Sequence, residues 1–312
     1  MQLKPSENTR LYGMKHFFDE ISNLYIKKKM PTKILLSGKR GLGKATLAYH
    51  IVNYILSTGE DFKYDYGNFI INENNKSFKL LKNNSHPNFY PIDILSDKKK
   101  IDVAQIREMI RYTNKSTFNN MARFILIDNI ENLNKNSVNA LLKVIEEPNK
   151  NIFFILINNC EKNILPTLRS RCLTFKINFT FYESINVSNQ ILGENIFNLI
   201  NYDLINYYNT PGEIINLINF SKDKNIDLKN CTLINFLNFL IDNGYYKKNK
   251  IVKTILINFI ELFFLKEYKL SGAKNSLLNF YHIFNNKIHN TEKFNLDEET
   301  LFLEFKSKLL NG

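Results

Sequence analysis

Gly38-Lys39-Arg40-Gly41-Leu42-Gly43-Lys44-Ala45-Thr46 is the stretch of this chain best suited to do chemistry. It follows the apolar run Ile34-Leu35-Leu36 and precedes Leu47, Ala48, Ile51, Val52 and Ile55, which recur at helical spacing. Strand, glycine loop and helix form the setting of a phosphate-binding loop, whose backbone N–H groups and helix N-terminus attract oxyanions. Gly38, Gly41, Gly43, Lys44, Ala45 and Thr46 are therefore the candidate nucleotide ligands, with Lys44 carrying the charge. The residue after the lysine, normally a Ser or Thr whose hydroxyl reaches magnesium, is Ala45. Thr46 has a hydroxyl, but one position late and so about 100° around the helix. The loop is equipped for phosphate and poorly equipped for a metal. The plainer alternative is a glycine-rich turn with a surface lysine.

A second candidate position, this one bearing a carboxylate, lies downstream. Arg123-Phe124-Ile125-Leu126-Ile127 is apolar after its first residue and runs into Asp128. In phosphoryl-transfer enzymes of this type a strand-end Asp helps hold magnesium, and a neighbouring group orients or activates water. Asp128 fits the first role, with a solvated strand-end acid as the alternative. Asn129 follows it, and an amide cannot act as a general base. Glu131, two residues farther on, is expected to point elsewhere. The third element is Leu165-Pro166-Thr167-Leu168-Arg169-Ser170-Arg171-Cys172.

The elements that position these residues read as follows. Phe17, Ile21, Leu24 and Tyr25 predict a helix in residues 1–30. Residues 57–92 are polar and Asn-rich and are expected to be irregular, an insertion or long excursion. Asp102 is a candidate N-cap with Gln105 three residues on, opening a helix through Val103, Ile106, Met109 and Ile110. Val138, Leu141, Leu142 and Ile145 predict another helix, closed by Glu146-Glu147-Pro148. Residues 152–157 and 173–177 read as buried strands. Strands and helices thus alternate to about residue 178, which predicts an α/β domain on a parallel sheet. Beyond it, 186–220 and 231–312 are helix-periodic. The expected division is 1–178, 179–224 and 225–312.

Composition sets outer limits. At 312 residues the chain exceeds one ordinary hydrophobic core. Its net charge of +12 suits a polyanionic partner, or lysine runs such as Lys27-Lys28-Lys29, Lys98-Lys99-Lys100 and Lys247-Lys248 that are simply solvated. No apolar run of about 18 residues predicts a membrane span, and Met1–Glu7 does not read as a secretory signal. Cys160, Cys172 and Cys231 are scattered, which suits a reducing cytoplasm and offers no zinc ligand set.

Taken together, Leu165–Cys172, the segment Asn139–Pro148, Val103-Ala104-Gln105-Ile106-Arg107 and Glu7-Asn8-Thr9-Arg10-Leu11 resemble the bacterial sliding-clamp loader family of the AAA+ superfamily. The resemblance covers about residues 5–180, and the rest only by order and helical character. It implies an α/β AAA+ P-loop NTPase-like domain with a parallel sheet, then a small helical lid and an all-α collar for oligomerisation. Ala45, Asn129 and the lack of a cysteine cluster in 57–92 make the chain more similar to the non-motor, delta-prime class of DNA polymerase III subunit than to the motor class.

That class implies a role for Arg171 as an arginine finger, reaching in trans to ATP on a neighbouring motor subunit. Ser170 then shapes the turn, and Cys172 is a small apolar residue. Asn158 and Asn159 stand at the sensor strand end, and Pro211-Gly212-Glu213 replaces a lid Pro-Gly-Arg, with a charge that repels phosphate. The implied partners are the motor (gamma/tau) and delta subunits and, through the complex, the sliding clamp and primer-template DNA in replication. No membrane contact is implied. No cofactor is required, weak ATP or ADP binding without hydrolysis is expected, and polymerase activity would reside in a partner chain. The alternatives are a catalytically active AAA+ motor subunit, favoured by the intact Lys44, and a nucleotide kinase or unrelated P-loop enzyme.

Overall fold

The computed structural model describes residues 4–96, 98–115, 121–147, 149, 151–247, 249–272, 275–294 and 296–310. Met1–Leu3, Pro148 and Lys248, which the sequence reading used, lie outside the described residues. The chain divides into two compact units, Met1–Ile191 with Thr210–Gly212, and Leu192–Asn209 with Glu213–Gly312.

The first unit carries α1 (Lys15–Ile26), β1 (Lys33–Ser37), α2 (Lys44–Leu56), α3 (Lys76–Lys82), β2 (Phe89–Ile92) and α4 (Val103–Thr113). There follow β3 (Arg123–Ile127), α5 (Lys135–Glu146), β4 (Ile152–Asn158), the single turn α6 (Pro166–Arg169), β5 (Leu173–Lys176) and most of α7 (Phe181–Leu192). The strands form one sheet in the order β2-β3-β4-β1-β5, every pairing parallel. That is the α/β P-loop architecture the sequence predicts.

The apolar runs are continuous because both faces of the sheet are covered. Ile34, Leu36, Phe124, Leu126, Ile155 and Ile157 face α1 and α2. Their alternates Leu35, Ile125, Ile127, Phe154 and Leu156 face α4 and α5. α4 begins at the predicted capping box, with Asp102 and Gln105 each bonded to the other's backbone.

Residues 57–92 correct the expectation of an irregular excursion. They contain α3 and β2, and Tyr64, Phe69, Ile71, Phe78 and Leu81 are buried in the main core. β2 is an edge strand with Pro91 inside it. The carbonyls of Asn88 and Ile92 accept from the N–H groups of Phe124 and Asp128, both at 2.9 Å, so the peptide groups of Phe89 and Pro91 face the free edge. A proline is tolerated there because its missing donor would have met solvent.

The second unit holds α8 (Pro211–Lys224) beyond its first two residues, α9 (Leu233–Asp242), α10 (Lys250–Leu270), α11 (Asn275–Phe294) and α12 (Glu298–Phe305). Aromatic pairs knit it together: Phe236 with Phe259 at 5.0 Å, Tyr246 with Phe302 at 4.7 Å and Phe263 with Phe305 at 5.6 Å. Among the described residues no helix is long and apolar enough to cross a membrane.

Candidate functional site

The phosphate loop leaves β1 at Ser37 and enters α2 at Lys44. Its first amide, Gly38 N–H, is held by the Asn158 carbonyl of β4 at 3.2 Å. Gly41 and Gly43 have φ of +86° and +93°, in the left-handed region that glycine enters without penalty. Gly41 is also fixed by proximity. Thr210 Oγ1 donates to the Arg40 carbonyl at 3.0 Å, and Gly212 N–H donates to the Gly41 carbonyl at 2.9 Å. A Cβ on Gly41 would stand 2.3 Å from Thr210 Oγ1 and 3.2 Å from Gly212 Cα. Thr210-Pro211-Gly212 therefore packs directly on the loop. Glu213, the next residue, accepts from Asn258 Nδ2 at 3.4 Å within the second unit.

Lys44 is 3% exposed. Its Nζ donates to two carbonyls of its own loop, Gly38 and Lys39, both at 2.7 Å. Burial lowers its pKa to about 8, against the opposing pull of Asp128. Ala45 packs against the core, and Thr46 Oγ1 accepts from Asn8 Nδ2 at 3.3 Å. The Thr46 hydroxyl is thus engaged with the N-terminal segment.

Asp128 stands at the end of β3, partly covered. Its carboxylate accepts from Asn129 N–H at 2.7 Å and from Asn159 Nδ2 at 3.2 Å. Burial, and then the charge of Asp93, raise its pKa to about 6. Asn129 is 7% exposed and fully engaged. Its Oδ1 accepts from Arg40 Nη2 at 2.6 Å and Asn159 Nδ2 at 2.9 Å, while its Nδ2 donates to Asp93 at 2.6 Å. Arg40 also pairs through Nε with Glu161 at 2.7 Å. An amide occupies the place next to the strand-end acid, and Arg40, from the loop between β1 and α2, bridges it to Glu161. This arrangement can gather phosphate oxygens around Lys44. The residue after Lys44 is Ala45, which has no side-chain hydroxyl, and the residue after Asp128 is the amide Asn129.

Glu131, expected to point elsewhere than the place beside Asp128, has its carboxylate engaged on a backbone amide. It is 8% exposed, and both carboxylate oxygens accept from Asn159 N–H at 3.2 Å. It thus turns toward the end of β4, locked on a backbone amide. The two asparagines there separate in role. Asn158 is tied to Ser37 Oγ at 3.2 Å, whereas Asn159 reaches Asp128 and Asn129. Arg40, Asp93 and Glu161 were missed by sequence reasoning; no local pattern marks three residues brought together from three loops.

Arg171 lies apart from that pocket, in the turn between α6 and β5. Its side chain is 37% exposed. Nη1 donates to the Thr167 carbonyl at 2.9 Å, and Nη2 pairs with Glu146 at 2.8 Å. Leu165 and Leu173 beside it are exposed. Ser170 Oγ donates to the Thr167 carbonyl at 3.2 Å and so braces the turn. Burial pushes the Cys172 thiol up to about 11, which keeps it protonated and unreactive. Among the described residues no group of three His, Cys, Asp or Glu side chains is gathered for a metal ion.

Comparison with known proteins places these features in context. A family model described as DNA polymerase III, delta subunit matches residues 13–180. The DNA polymerase III subunit gamma of Buchnera aphidicola subsp. Schizaphis graminum is 34% identical over 239 residues, 73% of this chain and 63% of that one. The DNA polymerase III subunit delta' of Pseudomonas aeruginosa is 30% identical over 139 residues, 45% of this chain and 40% of that one. The match thus spans less than two thirds of either relative. A gamma subunit-related protein of Thermotoga maritima superposes with a TM-score of 0.49 at 14% identity, covering 92% of this chain and 96% of that one.

Proposed function

The chain belongs to the DNA polymerase III, delta subunit family, and from that premise we propose that it is a non-motor, delta-prime-class subunit of the clamp loader. In this reading it assembles with motor (gamma/tau) and delta subunits in the cytoplasm to load the sliding clamp onto primed DNA. The observation that carries the non-motor role is the engaged pocket. Lys44 bonds its own loop, Ala45 offers no hydroxyl, and Asn129 is held by Arg40 and Asn159 where a water-activating acid would stand. Nucleotide binding at Gly38, Gly41, Gly43, Lys44, Ala45, Thr46 and Asp128 is then weak or nil, without hydrolysis, and the chain needs no cofactor or zinc.

Arg171 supplies the contribution to ATP turnover, in trans, to nucleotide held by the neighbouring motor subunit. A guanidinium suits this role because it is permanently charged and can contact two phosphate oxygens at once. Its exposed position in the α6–β5 turn supports that use. The small lid (179–224) and the collar (225–312) would then carry the contacts between subunits.

The test is reconstitution with motor and delta subunits. Arg171→Ala is expected to leave the chain folded and to lower DNA- and clamp-stimulated ATPase of the complex by about 10³ at the affected site, if a full finger contribution is lost. Unchanged ATPase would remove the finger role. A second reading, an active motor, is favoured by the retained Lys44 and by similarity to a gamma subunit over 73% of this chain. Steady-state phosphate release by the isolated chain decides it: background turnover is expected here, and motor-like turnover would establish the alternative.

A further inference from the structure

We infer that Glu146 is a positioning residue for Arg171. The inference rests on the proposed trans role of Arg171 and adds to it the group that sets the guanidinium before a partner's phosphate arrives.

Glu146 is the last residue of α5, where the helix presents partial negative charge. A carboxylate there is intrinsically unfavourable, because it adds to the unpaired carbonyls of the last turn. The Arg171 guanidinium offsets that repulsion by pairing with it at 2.8 Å. The pair also crosses 25 positions of sequence, joining the end of α5 to the turn before β5. Thr167 gives a second anchor through its carbonyl. Arginine has five N–H donors, and these two contacts use one on each terminal nitrogen. Among the described residues no hydrogen bond engages the other donors of the fork, so an incoming oxyanion can meet them while both anchors stay in place.

The pair contributes little to stability. Its side chains are 37% and 51% exposed, a setting in which ion pairs are weak. Its value lies in orientation. A free arginine side chain must give up its rotamer freedom when it engages a phosphate across an interface. Glu146 and the Thr167 carbonyl remove much of that freedom in advance.

The experiment uses the reconstituted complex with Glu146→Ala, Glu146→Gln, Arg171→Ala and the double variant Glu146→Ala/Arg171→Ala. Glu146→Ala is expected to lower kcat of stimulated ATP hydrolysis about 3- to 10-fold, the factor carried by one immobilised side chain, with KM for ATP unchanged. Glu146→Gln keeps an acceptor oxygen and is expected to restore most of that loss. The double variant should be no slower than Arg171→Ala, because Glu146 acts through Arg171. Thermal unfolding of the chain should be the same for all of these proteins, which separates positioning from misfolding. A Glu146→Ala complex as fast as the parent or faster, beside a slow Arg171→Ala complex, overturns this inference and leaves the trans role standing. So does a loss that adds in full on top of Arg171→Ala. Arg171→Ala complexes at parental speed would overturn both.

Discussion

Asp128→Asn should stabilise this chain at neutral pH, an unusual outcome for a residue at a candidate nucleotide-site position. The carboxyl is raised from 3.8 to about 6, first by burial and then by Asp93. A group whose folded pKa lies above its unfolded value favours the fold fully below the unfolded pKa, and that contribution is lost as pH rises through the folded pKa. At about 1.4 kcal/mol per unit, the ionised carboxylate costs ~3 kcal/mol by neutral pH, and partial exposure trims this to ~1–3 kcal/mol. Asparagine keeps an oxygen to accept from Asn129 N–H, now at 2.7 Å, and carries no charge. For a unit of this size each kcal/mol moves the unfolding midpoint by about 2–4 °C, so a gain of roughly 2–12 °C is expected.

The assay is thermal unfolding of parent and variant across acid to neutral pH. The gap should be nil below about pH 4, open as pH rises to 6, and stay constant above about 7. His50 makes the raw curves deceptive. Burial lowers its pKa to about 4, with Tyr64 Oη at 2.9 Å and the Asn8 carbonyl at 3.0 Å. Its contribution is full above about 6.5 and is lost as pH falls toward 4, the opposite slope over the same window. It is common to both proteins and cancels in the difference. A variant no more stable than the parent at pH 7, or a gap that does not grow with pH, would refute the reasoning.

Three further outcomes follow from the same geometry. Gly41→Ala combines a φ of +86° with a Cβ 2.3 Å from Thr210 Oγ1, and should cost about 2–4 kcal/mol in denaturant unfolding. Ala45→Thr returns the missing hydroxyl, yet steady-state phosphate release should stay at background because Asn129 remains an amide bonded to Arg40. Asp102→Ala breaks the capping box at α4 and should lower stability by about 1 kcal/mol, read as a fall of a few degrees in unfolding midpoint.

The sheet was legible because its central strands announce themselves. β1, β3 and β4 are apolar on both faces, and a turn or polar residue ends each of them. The cap at Asp102 was equally local. β2 escaped because it is four residues long, contains Pro91 and lies in an Asn-rich stretch; only pairing with β3 makes it a strand. The direction Glu131 takes has a conformational cause that spacing does not announce. Asn129 takes φ of +57° and Ile130–Asn132 forms a tight 3-10 turn, which swings the carboxylate back to Asn159. The loop residues around Lys44 could be named from their spacing. Their engagement could not, since Arg40, Asp93 and Glu161 meet only after the sheet has brought three strand ends together.

Pro91 also bears on how the chain behaves in company. An open row of unpaired peptide groups invites another polypeptide to continue the ladder, and such templating is a common start of aggregation. Here the outermost strand offers an incoming backbone one fewer donor and a stiff ring in its path. The rim is thereby blunted, and copies crowded together are discouraged from stacking edge to edge.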